Sequence, residues 1–157
     1  MFTVNGAGAD IWGTNDQFHY VDQPLTGNGT IIARLTSMTN TSANAKAGVI
    51  IKQSTTAGSN YMLIGDSPGG TVKVQYDFNG STTVSGTYTF PNAWMKLVSL
   101  NGKITAYLSS DGSTWTSVLS KTLPITTPAT VGLFECSHNT SALGTATFDN
   151  VSFTPGP

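Results

Sequence analysis

Trp94-Met-Lys-Leu-Val-Ser-Leu-Asn-Gly-Lys-Ile-Thr-Ala-Tyr-Leu-Ser-Ser-Asp-Gly-Ser-Thr-Trp115 decides the fold class of this chain. Apolar and polar residues alternate up to Asn101-Gly102, alternate again to Leu108, and stop at Asp111-Gly112. Asn-Gly and Asp-Gly tolerate the positive φ angles of two-residue hairpin turns, so the stretch predicts a three-stranded antiparallel meander. With Asn101-Gly102 at the tip, Leu100 pairs with Lys103, Leu97 faces Ala106, and Lys96 faces Tyr107. Met95, Leu97, Ile104, Ala106 and Leu108 then share a core face. Lys96 and Tyr107 stand side by side on the other, a cation and a ring of the kind that can touch a sugar.

Beyond this stretch, helical periodicity is absent and turn signals recur every ~8–12 residues. Strands are predicted at Phe2–Val4, Ile11–Trp12, Phe18–Val21, Thr30–Met38, Lys46–Lys52, Tyr61–Ile64 and Val72–Phe78. They continue at Thr82–Tyr88, Met95–Leu100, Ile104–Ser109, Trp115–Leu119, Val131–Ser137 and Thr145–Thr154. Alternation places Ile31, Ala33 and Leu35 inside and Ile32, Arg34 and Thr36 outside. In the same way Ala47, Val49 and Ile51 oppose Lys46, Ile50 and Lys52. Val72, Val74, Tyr76 and Phe78 oppose Lys73, Gln75 and Asp77. Aliphatic inner faces with polar outer faces predict an all-β antiparallel sandwich, a jelly roll of two stacked sheets with about six strands each. The 157 residues suit one domain. Residues 1–154 are read as a single module and 155–157 as the start of a Pro/Gly linker. Met1 running straight into Phe2-Thr-Val reads as a start from which a signal peptide or preceding domain has been removed.

Charged residues make up 10% of the chain and the net charge is −1, well below the typical charged fraction of ~25%. This balance argues against nucleic acid and anionic membrane surfaces as partners. No apolar run approaches the ~18 residues of a membrane-spanning helix. Cys136 is the single cysteine, so no intrachain disulfide forms. It sits in an apolar run and reads as a buried, inert thiol, although His138 two residues on shares its face.

Several segments together resemble a known group. They are Gly8-Ala-Asp-Ile-Trp-Gly-Thr-Asn-Asp-Gln-Phe-His-Tyr-Val21, Ile32-Ala-Arg-Leu-Thr36, Ala45-Lys-Ala-Gly-Val-Ile-Ile-Lys-Gln53 and Trp94-Met-Lys-Leu97. Ala106-Tyr-Leu-Ser-Ser-Asp-Gly-Ser-Thr-Trp115, Val131-Gly-Leu133 and Thr147-Phe-Asp-Asn-Val151 complete the order. This resembles the concanavalin A-like (laminin G-like) jelly-roll modules of secreted bacterial polysaccharide-degrading enzymes, and is similar to their fructan-binding carbohydrate-binding modules. The resemblance implies a secreted or cell-surface accessory module that binds polysaccharide or oligosaccharide beside a catalytic domain of the same parent chain. It departs from the group at Lys52, where relatives often carry Arg, and at Ser99, where they often carry a basic residue; Lys cannot make the bidentate fork of Arg.

Candidate ligand-binding residues are Arg34, Lys52, Gln75, Asp77, Lys96, Tyr107, Glu135 and His138. Hydrogen-bonding side chains with one ring make the kind of set a sugar site uses. The same charges equally suit a solvated face that resists edge-to-edge aggregation. Trp12, Trp94 and Trp115 read as core or hairpin anchors. Glycoside hydrolysis needs two flanking carboxyl groups; the chain has one Glu, Glu135, and only Asp77 with Glu135 offers a conceivable pair. No catalytic residue is therefore assigned, and an enzyme is not expected. Asp10 and Asp16 are candidates for a structural calcium ion, or for acceptors of backbone N–H bonds that fix a bend. N-x-Ser/Thr sequons occur at Asn28, Asn40, Asn79 and Asn139 without implying modification. A structural or protein-interaction module remains the alternative function.

Overall fold

The hairpin at the centre of the sequence forms as its alternation dictates. Asn101 and Gly102 adopt φ of 51° and 80°, the doubly positive turn that matches the twist of paired strands. Across it Leu97 pairs with Ala106 and Lys96 with Tyr107. The second turn differs from expectation. Gly112 has φ of 77°, but Asp111 Oδ1 accepts the Ser113 and Thr114 amides at 2.8 Å each. This Asx arrangement opens a loop over 110–115 in place of a two-residue turn.

The structure is a computed structural model that describes residues 1–11, 17–78, 80–84 and 88–156. Among these, the strands are β1 Phe2–Gly8, β2 His19–Leu25, β3 Gly29–Met38, β4 Lys46–Lys52, β5 Tyr61–Asp66 and β6 Val72–Tyr76. They continue as β7 Gly80–Val84, β8 Ala93–Leu100, β9 Lys103–Ser109, β10 Thr116–Thr122, β11 Ala129–Cys136 and β12 Asn139–Pro155. Two antiparallel six-stranded sheets stack as a β-sandwich, ordered β1-β12-β3-β8-β9-β10 and β2-β11-β4-β5-β6-β7. The edge strand β10 carries a register shift between Ser117 and Leu119. Of the predicted Ile11–Trp12 strand, Ile11 lies in a bend, and Trp12 is outside the described residues.

The main core fills the space between the sheets. Ile31, Ala33, Leu35, Met95, Leu97, Ile104, Ala106 and Leu108 come from the first sheet. Ala47, Val49, Ile51, Met62, Ile64, Val72, Val74, Val131 and Leu133 come from the second. Alternation had assigned the inward residues of β3, β4, β6, β8 and β9 to this side, while those of β5 and β11 are known from the structure alone.

The second sheet corrects the expected half-wet outer surface. Its outer side carries a second apolar layer of Ile11, Ile50, Tyr61, Leu63, Phe134 and Cys136, flanked by Phe18, Tyr20 and Phe78. Every residue of β5 is buried. Phe78 was expected on the inner face with Tyr76. Positive φ at Asp77 (50°) and Phe78 (68°) breaks the alternation and turns its ring edge-on to Tyr61.

Glu135 shows a further constraint. It faces inward on β11, fully buried, and neither carboxyl oxygen has a hydrogen-bond partner. Opposite it, Gly6 and Gly144 pair across β1 and β12. A Cβ at Gly144 would lie 2.1 Å from Glu135 Oε1, and one at Gly6 would lie 3.1 Å from Oε2. The carboxyl fits because two side chains are missing. Gly144→Ala is expected to lower unfolding free energy by roughly 1–3 kcal/mol through overpacking, read from urea midpoints; an unchanged midpoint contradicts that packing.

Burial pushes the Glu135 carboxyl from 4.5 up to about 7. Burial does the same to Asp66, from 3.8 to about 7, against the partial opposition of the Ser67 and Phe90 amides. Folded pKa values above the unfolded ones mean that the native state holds protons the unfolded chain has released. The stability these groups contribute is present below about pH 4 and is lost as pH rises to about 7. Urea midpoints should fall across this window, and Glu135→Gln should flatten the slope.

Candidate functional site

Lys46 organises the outer side of the second sheet. It opens β4, where alternation aims it outward, and its ammonium donates to Asp10 Oδ1 and Gln75 Oε1 at 2.8 Å each. The Ile11 carbonyl lies 3.4 Å from the same nitrogen and accepts Gln75 Nε2 at 3.2 Å. Asp10 Oδ1 also takes the Ile11 amide at 2.7 Å, and the Asp10 carbonyl takes the Gln17 amide at 2.7 Å. Asp10 and Gln17 are thus tied to each other, and the 10–11 segment to β4 and β6. His138, swung out of β11 by φ of 53°, places Nε2 3.4 Å from Asp10 Oδ2.

These groups border a cleft of about 450 Å³. Lys46, Lys73, Gln75 and Ser81 line it from β4, β6 and β7, with Asn44 and His138 on loops and Gly65 between the two lysine-bearing strands. Burial pushes the Asp10 carboxyl up, but the Lys46 hydrogen bond and charge, the Ile11 amide and the His138 charge outweigh it and hold it below its ordinary value. Asp10 is therefore an ionised acceptor whose cation is already supplied by Lys46. Of the two readings of Asp10, calcium ligand or acceptor of a backbone N–H at a bend, the structure displays the second at the Ile11 amide; Asp16 lies outside the described residues. Among the described residues, no three His, Cys, Asp or Glu side chains converge on one point.

The candidate residues predicted from sequence divide between opposite surfaces. Gln75, His138 and Asp10 meet at the cleft. Lys52 is 1% exposed, bonded to Ser59 Oγ at 2.8 Å and the Ser59 carbonyl at 3.0 Å; the 54–60 loop covers it. Asp77 sits exposed in the β6–β7 turn and accepts Asn60 Nδ2 at 3.3 Å. Glu135 lies between the sheets, so it reaches no ligand and shares no cavity with Asp77. Cys136 is buried, and burial raises its thiol to about 11, which leaves it protonated and unreactive.

Arg34, Lys96 and Tyr107 occupy the outer side of the first sheet. Lys96 Nζ lies 4.5 Å from the Tyr107 ring centre and 4.3 Å from that of Trp115. Trp115 returns over the strands because the 110–115 loop is longer than a tight turn. Arg34 stacks 5.5 Å from Trp94, its cross-strand neighbour, and forks onto Asp149 through Nε and Nη2. The Arg34 hydrogen bond holds the Asp149 carboxyl down at about 2. Here the cations cover the rings of their own chain.

Sequence reasoning missed Lys46 and Lys73 as site residues. Alternation had put both on outer faces, but the order β4-β5-β6 that joins them was not readable. Gln75→Ala removes one Lys46 acceptor and the donor to Ile11. It should cost about 1–3 kcal/mol and speed hydrogen exchange of the Gln17 amide; unaltered exchange would show that the 10–11 segment is held by other contacts.

No protein-family model matches the chain, and no curated protein matches its sequence. Solved structures match its fold. A functionally unknown protein from Saccharomyces cerevisiae is 18% identical, with a TM-score of 0.78 over 99% of this chain and 88% of that one. The GH43 protein BlXynB from Bacillus licheniformis is 14% identical, with a TM-score of 0.63 over 95% of this chain and 32% of that one. An alginate lyase A1-II′ variant in complex with product is 11% identical, with a TM-score of 0.50 over 87% of this chain and 66% of that one. At these identities the likeness establishes the fold alone: a β-sandwich shared with carbohydrate-active proteins and with a protein of unknown function.

Proposed function

We propose that the chain is a non-catalytic glycan-binding module of a secreted or surface protein, holding a glycoside hydrolase or related enzyme near its polysaccharide. The observation that carries this reading is the preset polar cleft on the second sheet. Sugar hydroxyls need donors and acceptors of fixed direction, and Lys46, Gln75 and Asp10 fix one another before any ligand arrives. The cleft volume falls within the range of small-ligand sites. The kinship of fold with GH43 and alginate lyase proteins supports a carbohydrate ligand. A binding role without chemistry is supported by the carboxyl groups: the single Glu is enclosed between the sheets, and Asp10 is ion-paired. Tethering of such a site raises the local concentration of an attached enzyme at its polysaccharide.

A second reading places the sugar on the Trp94, Tyr107 and Trp115 rings of the first sheet. Calorimetry against fructan, glucan, xylan and mannan oligosaccharides separates the two. Gln75→Ala should weaken binding about tenfold, the worth of one well-placed hydrogen bond, while Tyr107→Ala stays near wild type. The reverse pattern moves the site to the first sheet. Heat from no glycan, with tight binding to a neighbouring protein domain, selects the interaction-module alternative, and reducing-sugar release by the purified chain defeats the non-catalytic role.

A further inference from the structure

We infer that the cleft selects sugars bearing an anionic substituent, a carboxylate or a sulfate, and that Lys73 is the residue that reads it. This rests on the cleft being the glycan site. The argument is one of local charge. At the back of the cleft, the Asp10 carboxylate and the Lys46 ammonium neutralise each other at 2.8 Å. Asp66 also borders the cleft, with no exposed surface and one oxygen held by the Ser67 amide at 2.9 Å. Burial raises its carboxyl to about 7, so below that pH it is mostly neutral and adds little negative field.

Lys73 is different. It is exposed on β6, on the same outward side as Gln75. Its cross-strand neighbours are Gly65 on β5 and Thr83 on β7, neither of which carries a charge. No acidic side chain pairs with it among the described residues. Five of the other six cations are committed: Arg34 to Asp149, Lys46 to Asp10, Lys52 to Ser59, Lys96 to two rings and Lys121 to the Tyr76 ring; Lys103, on β9 of the other sheet, does not line the cleft. Gly65 lines the cleft between Lys73 and the Lys46 network, where a side chain would crowd Lys46 Cβ at 3.3 Å and Phe134 Cζ at 3.2 Å. A ring bonded to Gln75 and Ser81 would bring a substituent within reach of the Lys73 ammonium. The cleft is thus locally positive on a chain whose net charge is −1. A charge-assisted bond adds to neutral hydroxyl contacts there, moderated by solvent.

The test is calorimetry with three oligosaccharides of equal length, one neutral, one carrying uronic acid carboxylates and one sulfated. Each is titrated into wild type and Lys73→Gln at low and high salt. An anionic glycan should bind wild type about tenfold tighter than the neutral one, a single charge-assisted contact. Salt should erode that margin, and Lys73→Gln should abolish it, so that neutral and anionic glycans bind alike. Whichever of the two anionic glycans gains the margin identifies the group recognised. Equal affinity for neutral and anionic sugars overturns this inference and leaves the glycan-binding reading standing. A preference that survives in Lys73→Gln, which circular dichroism should show to be folded, overturns the assignment to that residue. Absence of binding by all three glycans overturns both.

Discussion

A lysine ammonium holding two strands and a bend together governs the working surface of this protein. Without the Lys46 link, the 10–11 segment would lose its bond to β4 and keep only the Gln75 bond to the Ile11 carbonyl and the His138 contact to Asp10 as polar ties to the rest of the chain. Ile11 has no exposed surface, and it can lie over Leu63 and Phe134 only while its backbone carbonyl is drawn in by Lys46 and Gln75. The polar network and the second apolar layer therefore support each other: the ion pair is sheltered by the packing, and the packing is placed by the ion pair. Such an arrangement gains specificity of position more than raw stability, since the desolvation of both charged groups offsets much of their attraction.

Sequence patterning was most informative where one face of a strand is dry and the other wet. β3, β8 and β9 alternate cleanly, and their inward residues, the Asn101-Gly102 turn and the Lys96–Tyr107 pairing all follow from period-two reasoning. It was least informative where both faces are covered. Tyr61-Met-Leu-Ile in β5 and Val131-Gly-Leu-Phe in β11 are apolar on both faces, a pattern of two-sided burial that the expectation of half-wet outer faces passed over. Lys52 then went from a presumed sugar contact to a side chain sealed under a loop. The site itself was only partly legible. Gln75 and His138 were in the candidate set, yet Lys46 and Lys73 emerge only once β5 is known to lie between β4 and β6. Arg34, Lys96 and Tyr107 share the outward orientation of Gln75 but belong to the other sheet, and outward says nothing about which sheet.

Two kinds of electrostatic environment coexist in a chain with few charges. On the surfaces, opposite groups meet directly, as Arg34 with Asp149 and Lys46 with Asp10. Inside, Glu135 has no counter-charge and is accommodated by shape, under the paired Gly6 and Gly144. The first arrangement favours the ionised carboxyl and the second the protonated one. The same sandwich therefore stores acid-favouring and base-favouring groups a few strands apart.

The displaced register of β10 bears on how copies of this protein behave when crowded. An edge strand with a straight row of free amides and carbonyls invites another chain to extend the sheet. Lys121 is the one charged side chain on β10, and the strand otherwise presents a kink between Ser117 and Leu119 and short hydroxyl side chains. A neighbour docking along this margin finds its hydrogen-bond ladder out of step at the kink. At this edge the geometry of the strand, more than its charge, works against sheet extension.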